Sequence, residues 1–197
     1  MSVLRPFRAD DLFHFNNMQV ALALLLTLSL TRAAVTSMSG RRLCYDFTYY
    51  LNYLSSWPDL CYVQASPSGR LMGYILGNAS TSGDAHGHVT ALTIAPEYRR
   101  LGLARTLTAI LEYASENAYN AYFVDLFVRC ANTVAIEMYE RMGYSVWRRI
   151  RGYYGLGSAE GGGMRRMRLV NMRKPMARDL GRRSVRANGR DMIVDQP

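Results

Sequence analysis

The stretch His86–Glu112, HGHVTALTIAPEYRRLGLARTLTAILE, decides the fold of this chain. Its first part is rich in apolar and β-branched residues, which predict a strand over Val89–Ala95. Pro96 ends that strand, because proline cannot donate a hydrogen bond to a sheet. From Leu103 onward apolar residues recur at helical spacing, so the sequence predicts a helix after a short turn, Arg99–Ala104.

That turn has the composition of a phosphate-binding loop. Free backbone N–H groups and the helix dipole concentrate positive charge at a helix N-terminus. Gly102 and Ala104 lack bulk, which would let a pyrophosphate approach the main chain closely. The spacing is that of neither the P-loop nor the three-glycine dinucleotide fingerprint. With Arg99 it fits Arg/Gln-x-x-Gly-x-Gly/Ala, which resembles the acetyl-coenzyme A loop of the GCN5-related N-acetyltransferase superfamily. The plainer alternative is an ordinary strand-turn-helix corner with two surface arginines.

Length and composition indicate one globular domain with a full core. The chain has 197 residues, 49% of them hydrophobic, and 14 tyrosines, which is typical of folded proteins. The three cysteines, Cys44, Cys61 and Cys130, are odd in number and widely spaced, so they suggest neither a disulfide framework nor a zinc site. We therefore expect reduced cysteines, no metal and a cytoplasmic location.

Basic residues concentrate towards the C-terminus. Of the net charge of +9, residues 164–197 carry 10 basic against 3 acidic residues, a balance of +7. Such a segment could contact RNA or the ribosome through phosphate groups. The alternative is a solvated, disordered extension.

The sequence divides into an acetyltransferase-like domain, residues 1–156, and a C-terminal tail, residues 157–197, that is Gly-rich and then basic. Residues 18–44 interrupt the domain as an atypical insertion, whose origin as a true insertion or a translated intron stays open. Its aliphatic part, Met18–Leu30, is shorter than the roughly 20 residues that a membrane helix needs. We expect no membrane contact.

The other segments complete a mixed, mostly antiparallel sheet with helices on both faces. Strands are predicted at Ser2–Phe7, Leu60–Ala65, Leu71–Gly77, Ala121–Val128 and Tyr144–Tyr154, and helices from Asp10-Asp11, over Tyr45–Ser56 and over Asn132–Met142. The neighbouring strands Val89–Ala95 and Tyr122–Val128 can diverge beside the Arg99–Ala104 turn. The gap would admit an extended ligand.

Acyl transfer to an amine needs a proton acceptor for the amine and an acid for the leaving thiolate. His86, His88, Tyr139, Tyr153 and Tyr154 are candidates. A histidine such as His88 suits proton relay at neutral pH, although a strand histidine is often only a structural hydrogen-bonding group. Tyr139 would serve either as core filler or as the acid.

Several motifs together resemble the catalytic subunits of NatB N-terminal acetyltransferases. They are LRPFRADDLFHFNN, LMGYILG, HGHVTALTIAPEYRRLGLA, FVDLFVRCANTVAIEMYERMGYSV and the pair Tyr153-Tyr154. The resemblance covers Met1–Asn17 and Tyr45 to about Tyr154. It implies the GCN5-related fold and transfer of acetyl from acetyl-CoA to the α-amine of nascent chains beginning Met-Asp, Met-Glu, Met-Asn or Met-Gln. It also implies a large auxiliary subunit of helical repeats and work at the ribosome.

The resemblance assigns the site residues by position. Catalytic roles fall to His88 and Tyr139. Cofactor binding falls to Leu92, Thr93, Ile94, Arg99, Arg100, Leu101, Gly102, Leu103, Ala104 and Asn132, and the peptide groove to Tyr45, His88, Thr90, Phe127, Tyr153 and Tyr154.

This chain departs from that family where an acidic, substrate-facing segment is expected. Only Tyr45 of that segment remains, so peptide recognition is the function most affected. Two alternatives stay open: a related acetyltransferase acting on lysine or a small amine, and an inactive acetyl-CoA-binding adaptor that docks through the basic tail.

Overall fold

A computed structural model of the chain describes residues 2–15, 47–81, 83–153 and 167–195. The predicted insertion at residues 18–44 lies outside these ranges, as do Tyr45 and Tyr154. For Tyr153 the backbone alone is described.

The described residues form eight strands and three α-helices. The strands are β1 (Val3–Pro6), β2 (Cys61–Ala65), β3 (Leu71–Ser80), β4 (His86–Ile94), β5 (Phe123–Arg129), β6 (Ser145–Tyr153), β7 (Met167–Pro175) and β8 (Ile193–Asp195). The helices are α1 (Phe47–Ser56), α2 (Leu103–Asn117) and α3 (Thr133–Arg141), with 3-10 turns at Ala9–His14, Pro58–Leu60 and Pro96–Tyr98. Where the sequence predicted a helix from Asp10-Asp11, the structure has the first of these 3-10 turns. None of the described helices is long and apolar enough to cross a membrane.

All eight strands belong to one sheet in the order β1-β2-β3-β4-β5-β7-β6-β8. Only β4–β5 and β6–β8 run parallel, so the predicted mixed, mostly antiparallel sheet is confirmed. The apolar side of α2 and α3 packs on one face through Leu107, Leu111 and Tyr139. On the other face α1 and the first 3-10 turn bury Tyr50 and Phe15. Helices therefore cover both faces, as predicted.

The parallel strands β4 and β5 separate halfway along their length. Their ladder runs only from His86 paired with Phe123 to Val89 paired with Leu126. At the same point β4 carries a bulge against β3, with Thr90 as its extra residue, since Leu76 faces Ala91 and Gly77 faces Val89. A bulge bends its strand and increases its twist. The predicted divergence of these two strands is confirmed, and the bulge is its local cause.

The sheet does not end at residue 156. Strand β7 lies between β5 and β6 and pairs with both in antiparallel register, and its Leu169 and Met172 are fully buried. The prediction of a tail from residue 157 is therefore wrong for residues 167–175. Those residues contribute their basic side chains from within the sheet.

Candidate functional site

The N-terminus of α2 is open to an anion. Gly102, the residue before the helix, has φ +78°, a left-handed conformation that glycine adopts without strain. No side chain caps the helix, so its first backbone N–H groups can donate to a ligand. Arg100 also has positive φ, +63°, and Arg99 Nε donates to the carbonyl of Ile94 at 3.4 Å. The role of this turn in binding a pyrophosphate stays a prediction.

The remaining predicted cofactor residues divide by burial. Leu92 and Ile94 are half-buried on β4, while Thr93 is buried between them. Leu101 is 62% exposed at the tip of the turn, whereas Leu103 is buried in the first turn of α2. Because β4 has left β5 along this stretch, its backbone edge faces the gap. An extended thioester could hydrogen-bond to that edge.

A hydrogen-bonded chain of three side chains lies where β4 and β5 part. His88 Nδ1 is 2.6 Å from Asp125 Oδ1, and Asn171 Nδ2 donates to Asp125 Oδ2 at 3.0 Å. His88 and Asp125 are register partners on β4 and β5. The His88 side chain keeps 20% of its surface exposed, against 8% for Asp125. The histidine is therefore the accessible end of a buried polar chain.

The charge state of Asp125 follows from these contacts. Burial alone would raise the pKa of this carboxyl, but the hydrogen bond and charge of His88 and the amide of Asn171 hold its pKa below the usual value. An ionised carboxylate only accepts hydrogen bonds, so Nδ1 of His88 is the donor. In a neutral imidazole Nε2 is then the acceptor nitrogen, which is the tautomer that a proton relay needs.

His88, Thr90, Phe127 and Tyr53 together define the groove face of the sheet. The rings of His88 and Phe127 lie 5.5 Å apart. Thr90 Oγ1 and Asn78 Nδ2 each donate to the hydroxyl of Tyr53 at 3.1 Å. The structure thus brings the predicted residues His88, Thr90 and Phe127 together on the face that α1 covers in part.

Tyr139 and Asn132 have structural roles on α3. Tyr139 is only 4% exposed within the core, and its ring meets Tyr144 edge to face at 5.5 Å. Burial raises the pKa of its phenol, so the group stays protonated and able to donate. Asn132 caps α3, because its Oδ1 accepts from the Ala135 N–H at 3.2 Å. Their predicted roles toward the thioester stay predictions.

Sequence reasoning missed Asp125, Asn171 and Tyr53. Asp125 had a detectable signal, since a lone acid within the apolar run FVDLFV must find a partner when buried. Asn171 had none, because the strand that carries it was not recognised. Within the described residues no group of three His, Cys, Asp or Glu side chains is placed to hold a metal ion.

Comparisons with known proteins all indicate the same family. Residues 28–144 match the Acetyltransferase (GNAT) family. The chain is 43% identical over 194 residues to the N-terminal acetyltransferase B complex catalytic subunit of Schizosaccharomyces pombe, covering 96% of this chain and 93% of that protein. It is 42% identical over 186 residues to N-alpha-acetyltransferase 20 of Dictyostelium discoideum, covering 94% and 92%.

A solved structure gives the same result. The crystal structure of Chaetomium thermophilum Naa20 in complex with a bisubstrate analogue superposes with a TM-score of 0.80 at 36% identity, covering 98% of this chain and 96% of that chain. The sequence identity and the structural superposition therefore point to the same family. The chain belongs to the GNAT acetyltransferases and, within them, to the catalytic subunits of the N-terminal acetyltransferase B complex.

Proposed function

We propose that this chain transfers acetyl from acetyl-CoA to the α-amine of nascent proteins beginning Met-Asp, Met-Glu, Met-Asn or Met-Gln. The observation that carries the proposal is the position of the His88–Asp125 pair. It stands where β4 parts from β5, with the Phe127 ring beside the imidazole and the proposed cofactor turn following β4 in the chain. Amine and thioester would meet there.

The turn before α2, the β4 histidine and its β5 carboxylate have separate tasks in the proposed reaction. Acetyl-CoA supplies the activated acyl group, and its pyrophosphate is held by the turn Arg99–Ala104 at the α2 N-terminus. His88 Nε2 takes a proton from the substrate ammonium, directly or through water, so that the neutral amine can attack the thioester carbonyl. The C–S bond then breaks, and the CoA thiolate leaves with the proton that the new amide nitrogen loses. Asp125 holds the imidazole in the required tautomer and stabilises the imidazolium that forms.

The proposal includes the complex in which the chain works. Its relatives from Schizosaccharomyces pombe and other organisms are named as catalytic subunits of a complex. We propose a large auxiliary subunit of helical repeats as the partner, and cytoplasmic work on nascent chains at the ribosome. Polysome gradient fractions from the source cells, probed for this chain with and without puromycin, test its association with the ribosome.

The substrate class is tested with peptides that differ only at their first residues. Acetyl-CoA turnover is measured with Met-Asp, Met-Ser and Ser-Glu peptides and with an internal lysine peptide, in the presence of the auxiliary subunit. We expect a clear preference for Met-Asp. A preference for lysine or a small amine would make the chain a different acetyltransferase of the same fold, and acetyl-CoA binding without turnover would make it an inactive adaptor.

A further inference from the structure

Aromatic rings and two arginine side chains form a stack that crosses the groove face from β4 to β6. The guanidinium of Arg173 lies between the rings of Phe123 and Trp147, 4.1 and 4.2 Å from their centroids. Arg186 covers the outer side of Trp147 at 3.7 Å, and His86 stacks on the far side of Phe123 at 4.9 Å. The stack therefore has five layers, two of them arginines.

Local geometry places Trp147 in this stack. The register between β6 and β7 shifts so that Val146 faces Met172 and Arg148 faces Asn171, with Trp147 as the bulged residue. Gly189 allows the C-terminal segment to cross β6 closely, because a Cβ there would lie 1.8 Å from the Val146 carbonyl oxygen. That crossing brings Arg186 over the Trp147 ring.

Stacking holds the plane of Arg173 without using its donors. Its side chain forms no ion pair and no hydrogen bond within the described residues. A guanidinium fixed between two rings presents its N–H edge in one orientation, which suits a carboxylate or another planar anion. It is a preformed hydrogen-bond donor for an acidic group.

The cavity beside Arg173 is also positive. It has a volume of about 430 Å³, and Arg178 and Arg183 line it with Arg173. Of its two acids, Asp179 is occupied by the Ser184 hydroxyl and by the N–H groups of Arg183 and Ser184. Asp84 is the other lining acid. Three arginines thus face two acids, one of which is already hydrogen-bonded, and this balance favours an anionic ligand.

Position relates this cavity to the amine site. Arg173 is the register partner of Asp125, and Asp125 is the partner of His88, so the three residues form one row across β4, β5 and β7. Two strand spacings separate His88 from Arg173, about 10 Å. An extended peptide covers roughly 3.5 Å per residue. With its amine at His88, its third or fourth residue would reach Arg173.

We infer that Arg173 and its stack bind an acidic side chain at the third or fourth position of the substrate peptide. The inference rests on the proposed function and extends its specificity beyond the second residue. The occupant is a peptide carboxylate, because the cavity lies in the same row as the amine-binding residues and within one short extended segment of them.

The test compares peptides that share Met-Asp and differ at positions three and four. Ala-Ala, Glu-Glu and Lys-Lys versions are assayed with the complex of this chain and its auxiliary subunit. We expect kcat/KM to be about three- to tenfold higher for Glu-Glu than for Ala-Ala, mainly through KM, and lower for Lys-Lys. The ratio of Glu-Glu to Ala-Ala should shrink at high salt.

Variants locate the effect. In Arg173→Gln the Glu-Glu to Ala-Ala ratio should fall to about one, and in Arg186→Gln, which leaves the inner guanidinium in place, it should fall in part. Arg190→Gln is the matched control, because this exposed arginine pairs with Glu140 on α3. It should keep the wild-type ratio. Thermal melting and acetyl-CoA affinity report whether each variant is folded.

Equal kcat/KM for all three peptides in the wild-type complex would overturn the inference and leave the Met-Asp assignment intact. If Met-Asp peptides are not turned over, the proposed function fails. Fluorescence anisotropy of labelled Glu-Glu and Ala-Ala peptides on the CoA-loaded complex then decides the inference, because equal dissociation constants overturn it. RNA that binds in an Arg173-dependent manner, with no difference among peptides, would assign the stack to phosphate instead.

Discussion

Asp125 connects the buried interior of the sheet to the reacting face. Its carboxylate accepts from His88 on one side and from Asn171 on the other. A buried charge persists only when such partners compensate for its lost hydration. The same bonds that make this carboxylate tolerable in the core also fix the histidine tautomer, so stability and chemistry depend on the same atoms.

Replacing Asp125 with Asn should lower kcat/KM for Met-Asp peptides by about 10- to 100-fold. An amide can donate to Nδ1 and so stabilise the other tautomer, which removes the acceptor at Nε2. The pH profile of kcat/KM should change its shape. Asp11→Asn is the control, because this buried carboxylate pairs with Arg5 at 2.6 Å on the first strand. A D125N enzyme with wild-type kinetics and pH profile would remove His88 from the relay.

The pKa of Asp125 also predicts acid sensitivity. Its folded-state pKa lies below the usual 3.8, so its pairing contributes stability that is present above the unfolded pKa and is lost as pH falls through the folded pKa. Urea unfolding between about pH 5 and pH 2 should show this decline. In Asp125→Asn the decline should be shallower, with the remainder due in part to Asp179, whose pKa is also lowered. An unchanged slope would contradict the assignment.

Among the elements, β4, its turn and α2 could be predicted because their signals are local. Strand composition, proline and helical spacing all lie within 27 residues, His86–Glu112. Strand β7 could not, because arginines, a lysine and an asparagine break its apolar pattern and its two partners lie far away in sequence. The residues that depend on β7, Asn171 and Arg173, were missed for the same reason. The divergence of β4 and β5 was predictable in outline, but the bulge at Thr90 was not.

Replacing Gly102 with Ala tests the turn at the α2 N-terminus. The position has φ +78° and open space around a new Cβ, so the change adds backbone strain of about 1–2 kcal/mol without a clash. A shift toward negative φ would reorient the first N–H groups of α2, and we expect acetyl-CoA affinity to fall about tenfold.

Gly83→Ala is the matched control for that change. Gly83 has φ +68° and equally open space, but it lies in the loop between β3 and β4. Both variants should lose similar thermal stability, whereas isothermal titration should show weaker acetyl-CoA binding for Gly102→Ala alone. Equal affinities in the two variants would show that the turn does not hold the cofactor.

At the scale of the whole molecule, the basic C-terminal region, residues 167–195, both completes the sheet and supplies the arginines of the proposed peptide-binding stack. Strand β7 completes the sheet between β5 and β6, and the segment after it returns over β6 to place Arg186 on the stack. A proposed contact of these arginines with RNA therefore cannot be tested by deleting the region. Single substitutions at exposed arginines, such as Arg182 and Arg183, test it without removing a strand.

Two truncations separate the strand from the end of the chain. Removing residues 167–197 takes away β7 with its buried Leu169 and Met172, each contributing about 1.5–3 kcal/mol, and leaves the facing edges of β5 and β6 without their partner. Against a total stability of about 5–15 kcal/mol, this chain should not fold and should aggregate on expression. Removing residues 193–197 takes away only β8, whose Ile193 is 44% exposed, and should lower Tm by a few degrees. Circular dichroism melts and acetyl-CoA titration distinguish the two. A cooperative melt with retained acetyl-CoA binding in the longer deletion would mean that the sheet is stable without β7.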